Sequence, residues 1–87
     1  MIRVLTTERF LDGAAYLPKQ QQQKLANLLI TLEENPFHPK LRTKLLRGTL
    51  TGLYAFRITR DWRVIFQFQD THTILLLRTA NRKDIYR

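Results

Sequence analysis

The spacing of apolar positions changes along the chain, and each change predicts a different element. Residues 1–5 alternate weakly through Ile2, Val4 and Leu5, as a short opening strand does. Thr6 or Thr7 then offers a helix N-cap, with Glu8 well placed against the positive end of a helix carrying Phe10, Leu11, Ala14, Ala15 and Leu17. Gly13 weakens that helix, and Pro18 disfavours helical backbone at Leu17, so a tight turn follows. Pro18 also suits an early position of a second helix. In it, Leu25, Leu28, Leu29 and Leu32 recur at i, i+3, i+4 and i+7, with Ala26 and Ile30 widening the stripe. The glutamines at 20–23 read as solvated surface, and Asn35 with Pro36 closes the helix.

Residues 37–52 show no clean period and are expected to form a basic connection lightly pinned to the core by Leu41, Leu45 and Leu46, with turns at Gly48 and Gly52. From Tyr54 the period becomes two. Tyr54, Phe56 and Ile58 alternate with Ala55, Arg57 and Thr59, and Val64, Phe66 and Phe68 alternate with Arg63, Ile65 and Gln67. This pattern predicts a hairpin whose apolar faces coincide only if facing positions have an even sum. The simplest such register sets Phe56 opposite Phe66 across an Arg60-Asp61-Trp62 loop. Arg57 then lies opposite Ile65 and Arg63 opposite Thr59, both arginines on the face away from the aromatic core. After a turn at 69–73, the continuous apolar run 74–77 predicts an interior strand buried on both sides. Arg78 and Thr79 lead out of it. The resulting fold class is α+β, two antiparallel helices packed on a mainly antiparallel four-stranded sheet in the order β-α-α-β-β-β.

A length of 87 residues predicts one small domain, 1–87. The lack of cysteine excludes disulfide frameworks, thiolate nucleophiles and thiolate metal sites, and suits a reducing compartment. No apolar run reaches the roughly 18 residues of a membrane span and no signal-peptide pattern opens the chain, so a cytoplasmic protein with no membrane partner is expected. Charge alters the picture more. Fifteen Lys and Arg against seven Asp and Glu give +8, which favours nucleic acid or an acidic protein as partner. All of the excess follows Pro36. There Lys40, Arg42, Lys44, Arg47, Arg57, Arg60, Arg63, Arg78, Arg82, Lys83 and Arg87 face only Asp61, Asp70 and Asp84.

The sequence has no Gly-rich phosphate loop, dinucleotide fingerprint, paired-carboxylate motif or metal-ligand spacing. His38 and His72 stand singly and read as loop histidines. What remains is a set of cations with one phenol. Arg57 and Arg63 share a sheet face, and Arg82, Lys83 and Tyr86 come from the segment leaving the last strand. Folded back beside the hairpin, that segment completes a positive pocket sized for a phosphodiester, to which arginine presents a planar, permanently charged fork. RNA carries its own nucleophile, the 2'-hydroxyl. An enzyme therefore need only align the attack, neutralise the developing charge and move protons, and a tyrosine in a positive field gives up its proton more readily. A basic surface that binds RNA without cutting it uses the same residue types, and a tyrosine at such a position also serves in core packing.

Three stretches in order, LPKQQQQKLANLLITLEENPF, LLRGTLTGLYAFRITRDWRVIFQF and ILLLRTANRKDIYR, resemble the RelE/ParE toxin superfamily over essentially the whole chain. The ending NRKDIYR is similar to the HRKDVYR of RelE-type members. The resemblance implies a toxin of a type II toxin–antitoxin system, a ribosome-dependent messenger RNA endonuclease that works without metal or other cofactor. It implies a cognate acidic antitoxin and a toxin–antitoxin hetero-oligomer. By position, Arg63 matches the arginine that stabilises the phosphate, Arg57 a basic residue of the preceding strand, Arg82 the arginine after the last strand, and Tyr86 the tyrosine near the C-terminus. Lys40, Arg42, Lys44, Arg47 and Lys83 are then expected to bind RNA. Lys44 falls near a position that some branches fill with a catalytic glutamate, Ala55 where lysine can stand, and Asn81 where histidine is frequent. The ParE branch of the same superfamily binds DNA gyrase without acting on RNA, which is the alternative activity.

Overall fold

A computed structural model describes residues 1–85. Tyr86, matched above to the proton-transferring tyrosine, and Arg87 lie outside the described residues. The elements are β1 (Arg3–Thr6), α1 (Glu8–Ala15), α2 (Lys19–Glu34), β2 (Lys44–Leu45), β3 (Tyr54–Arg57), β4 (Trp62–Asp70), β5 (Thr73–Asn81) and a short α3 (Arg82–Ile85), with single 3₁₀ turns at Pro39–Leu41 and Gly48–Leu50. The strands form one sheet in the order β1-β5-β4-β3-β2, with β1 parallel to β5 and every other pair antiparallel. The α+β architecture is the expected one, but among the described residues the sheet has five strands, not four. The extra strand is β2, two residues within the basic connection that pair with Tyr54 and Ala55.

α1 begins where the cap chemistry places it. Thr7 Oγ1 accepts from the Phe10 N–H at 3.1 Å, and its hydroxyl lies 2.9 and 3.0 Å from the Leu76 and Leu77 carbonyls, to which it donates. The helix start is thereby tied to β5 at the point where that strand bulges. Gly13 has a tertiary reason: a Cβ there would run into Thr79 Oγ1, so the glycine lets α1 approach β5 closely. The glutamine run is also more than solvated surface, because Gln22 Nε2 donates to the Ala15 and Leu17 carbonyls and closes the end of α1. In α2, Leu25, Leu28 and Leu32 are buried and Leu29 is half-buried, whereas Ala26 is exposed and Ile30 is 56% exposed, so the buried stripe is narrower than the pattern suggested. Among the described residues no helix is long and apolar enough to cross a membrane.

The helices cover one face of the sheet, over a core that includes Phe10, Leu25, Leu28, Leu32, Phe56, Val64, Phe66, Ile74 and Leu76. Phe56 and Phe66 are both fully buried, so the hairpin parity holds, but the register does not. Tyr54 faces Phe66, Phe56 faces Val64 and Arg57 faces Arg63, two residues away from the expected pairing. The loop is Thr59-Arg60-Asp61, since Trp62 is the first residue of β4 and its carbonyl accepts from the Ile58 and Thr59 N–H groups. A shift of two keeps every side chain on its face. It also sets Tyr54 on Phe66, rings stacked with centroids 5.7 Å apart.

β5 extends past the expected exit to Asn81, and it carries a bulge. Ile65 pairs with Arg78 and Phe66 with Leu76, which leaves Leu77 without a partner. The extra residue reverses the alternation, so Arg78 and Ala80 join Ile65 and Arg63 on the face away from the helices while Thr79 points to α1. Nor is the 74–77 run buried on both sides. Ile74 and Leu76 are buried beneath the helices; Leu75 and Leu77 are half-buried on the other face. That second face has its own small apolar core of Leu46, Ala55, Ile65 and Ala80.

Candidate functional site

At the hairpin end of the second face, a short alternation turns charge outward. Val64 and Phe56 point into the main core, so their neighbours Arg63 and Arg57 project from the opposite side, directly across from each other. Arg63 also pairs with Ala80 on β5, whose small side chain leaves its guanidinium room. Both arginines are half-buried. Arg63 Nε is shielded from solvent and has no hydrogen-bond partner among the described residues. Partial burial, then the guanidiniums of Arg42, Arg63, Arg60 and Arg82, hold the Arg57 pKa below its ordinary value. Like charges facing across a strand pair are unfavourable, and this end of the sheet collects them nonetheless.

α3 is fastened to the same end. The Arg82 N–H donates to the Asp61 carbonyl at 2.7 Å, and Asn81 Oδ1 accepts from the Lys83 N–H at 3.0 Å, so the segment leaving β5 folds against the β3–β4 turn. Arg82 and Lys83 there line a cleft of about 460 Å³ with Arg60 and Asp61. Arg57 and Arg63 are direct partners and not offset as expected, and Arg57 feels the charges of Arg42, Arg60 and Arg82 as well.

The remaining candidates divide between a cleft that Arg57 shares and positions away from the cluster. Lys40 and Arg42 line a second cleft of about 480 Å³ on the helix side of the turn. Lys44 lies opposite Ala55, exposed at the sheet edge, and Arg47 is exposed just before the second 3₁₀ turn, outside both clefts. Ala55 is buried in the small core against Ile65, so no cation occupies that position. His38 and His72 are exposed loop residues; His38 Nδ1 accepts from the Lys40 N–H and orients that turn. Arg60 and Lys24 also line the second cleft, and neither is among the residues expected from the sequence to bind RNA. Lys24 and Asn27 flank Leu28 on one side of the α2 stripe at i and i+3, and that spacing was the available signal.

The family model described as ParE toxin of type II toxin-antitoxin system, parDE, matches residues 6–86. No curated protein matches the chain significantly. Among solved structures, a YoeB/ParE toxin from Agrobacterium tumefaciens superposes with a TM-score of 0.79 at 15% identity, over 93% of this chain and 99% of that one. YafQ from E. coli superposes with a TM-score of 0.78 at 16% identity over the whole of both chains. An archaeal RelE–RelB complex from Pyrococcus horikoshii contains a chain that superposes with a TM-score of 0.76 at 27% identity, over 93% of this chain and 94% of that one.

Proposed function

The chain belongs to the ParE toxin family of type II toxin–antitoxin systems, and we propose that it is a ribosome-dependent messenger RNA endonuclease. The observation that carries this is the Arg57–Arg63 pair, joined by Arg82 at one end of the open sheet face, with Arg63 Nε shielded and unpartnered among the described residues. A guanidinium cluster that costs the fold electrostatic strain is explained by a ligand that discharges it. A phosphodiester passing to a doubly charged pentacoordinate transition state does so most strongly at the moment of reaction.

In the proposed step the RNA 2'-oxygen attacks the adjacent phosphorus and gives up its proton, the bond to the 5'-oxygen breaks, and that oxygen takes a proton as it leaves. The products are a 2',3'-cyclic phosphate and a 5'-hydroxyl. Arg63 and Arg82 neutralise the equatorial oxygens, Arg57 strengthens the local field, and Tyr86 takes the proton-transfer role that its position in the superfamily implies. The cations supply the charge stabilisation that a metal provides elsewhere. The arginines supply charge and do not take the 2'-proton. The natural inhibitor is an acidic antitoxin laid over this face, in the cytoplasm where the ribosomes are.

The family's ParE name favours a second reading, gyrase inhibition without RNA cleavage. One experiment separates the two. Purified chain is added to translating ribosomes and, in parallel, to a gyrase supercoiling assay. The endonuclease produces 3' ends carrying a cyclic phosphate on the messenger and leaves supercoiling alone. Intact messenger with blocked supercoiling replaces the nuclease by the gyrase inhibitor.

A further inference from the structure

Arg60 stands on the wall between two clefts. On one side are Arg82, Lys83 and the single carboxylate Asp61; on the other, between α2, the connection that follows it and the β3–β4 turn, are Lys24, Asn27, Lys40, Arg42 and Arg57. Among the described residues the latter cleft is lined by five cations and no carboxylate, with Leu28 and Ile58 as an apolar floor. Its outer wall is built to hold its shape. Thr43 Oγ1 donates to the Pro36 carbonyl at 2.6 Å, His38 Nδ1 holds the Lys40 N–H at 3.0 Å, and Arg42 sits in the left-handed region at φ 51°, its N–H on the Pro39 carbonyl. A non-glycine residue held there stores strain that the surrounding hydrogen bonds must maintain.

We infer that the two clefts form one phosphate-binding track, in which Lys24, Lys40 and Arg60 grip backbone phosphates of a single RNA strand next to the phosphate held by Arg63 and Arg82. The track deepens the nuclease proposal and takes its strand from it. Repeated single charges along a backbone match cations spread over α2, a loop and a turn better than the carboxylates of a folded acidic segment do. A ribose or base edge rests on the apolar floor. Arg57 lines the cleft beside α2 and faces Arg63 across the hairpin, so it joins the track to the proposed reaction site.

The test reads binding, not cleavage. A 2'-O-methylated single-stranded RNA, which lacks the nucleophile, is titrated into the purified chain by fluorescence anisotropy at several salt concentrations. In the Lys24→Gln/Arg60→Gln variant, affinity at 0.1 M salt should fall about tenfold, and the slope of log K against log salt should flatten by roughly 0.7 for each phosphate no longer neutralised. Arg9→Gln/Lys19→Gln removes the same charge outside both clefts and should change affinity less than twofold. Equal losses in the two variants would show that only net charge matters and overturn the track. So would a nucleoside triphosphate that binds the wild-type chain more tightly than the RNA does, or a variant that binds RNA normally but loses an acidic antitoxin peptide. RNA held in the track by a chain that does not cut messenger would overturn the nuclease proposal and leave the track standing.

Discussion

Beneath the helices, β3 and β4 present Tyr54, Phe56, Val64, Phe66 and Phe68, linked by ring contacts such as the 5.3 Å edge-on pair of Tyr54 with Phe68. On the opposite face the same strands present Ala55, Arg57, Arg63, Ile65 and Gln67, with apolar side chains at the centre and guanidiniums at the end. One alternating sequence therefore carries two tasks with little cross-talk. The aromatic face supplies the burial that stabilises strand pairing. That surplus lets the other face hold two like charges directly opposite each other. The difference teaches that the hairpin's stability and its chemistry are separable by residue parity.

Removing one residue from each face tests that separation most strongly. Phe66→Ala empties a fully buried position and should cost about 3–5 kcal/mol in denaturant unfolding. Arg63→Ala should change the unfolding free energy by no more than about 1 kcal/mol while slowing messenger cleavage about 10²- to 10³-fold. An Arg63→Ala chain that unfolds as readily as Phe66→Ala would end the division of labour between the faces.

A smaller effect, of opposite sign, is expected at the partner arginine. Arg57 faces Arg63 and feels Arg42, Arg60 and Arg82, so Arg57→Gln should raise thermal stability while lowering RNA binding and cleavage. The gain should be largest at low salt and shrink as the screening length falls towards about 10 Å at 0.1 M. Thermal melts across a salt series check this. A stability loss at every salt concentration would mean that the cluster is held by contacts other than an absent anion.

The comparison also shows why some of the molecule was legible in the sequence and some was not. Face parity in the hairpin could be read because a register error of two residues leaves every side chain on its side, so Arg57 and Arg63 were placed together although their partners were wrong. The leucines of α2 could be read because 3.6-residue spacing survives any tertiary arrangement. The bulge at Leu77 could not, since an extra residue inside a run of leucines leaves no trace in the period, yet it decides that Arg78 and Ala80 share a face with Arg63. β2 escaped because two residues carry no alternation. The cleft beside Lys24 escaped because only folding brings α2 against the β3–β4 turn.

The smallest expected effect lies at the other end of β4, where the sheet is braced by a carboxylate. Asp70 Oδ1 accepts from the His72 N–H at 2.7 Å, and that bond, with those from Thr73 and the nearby His72 ring, holds its pKa below the ordinary 3.8. Because the folded value is the lower one, the stabilisation is fully present above the ordinary value and fades as pH falls through the folded one. Unfolding followed from pH 6 to pH 2 should therefore show a shallower decline in Asp70→Asn than in the parent chain below pH ~4, with the two curves parallel above pH ~5. Cleavage and RNA affinity at neutral pH should not change, because this turn is at the far end of β4 from Arg63. An effect of Asp70→Asn on RNA binding would show that the two ends of the sheet are coupled, and with them the faces that the parity argument keeps apart.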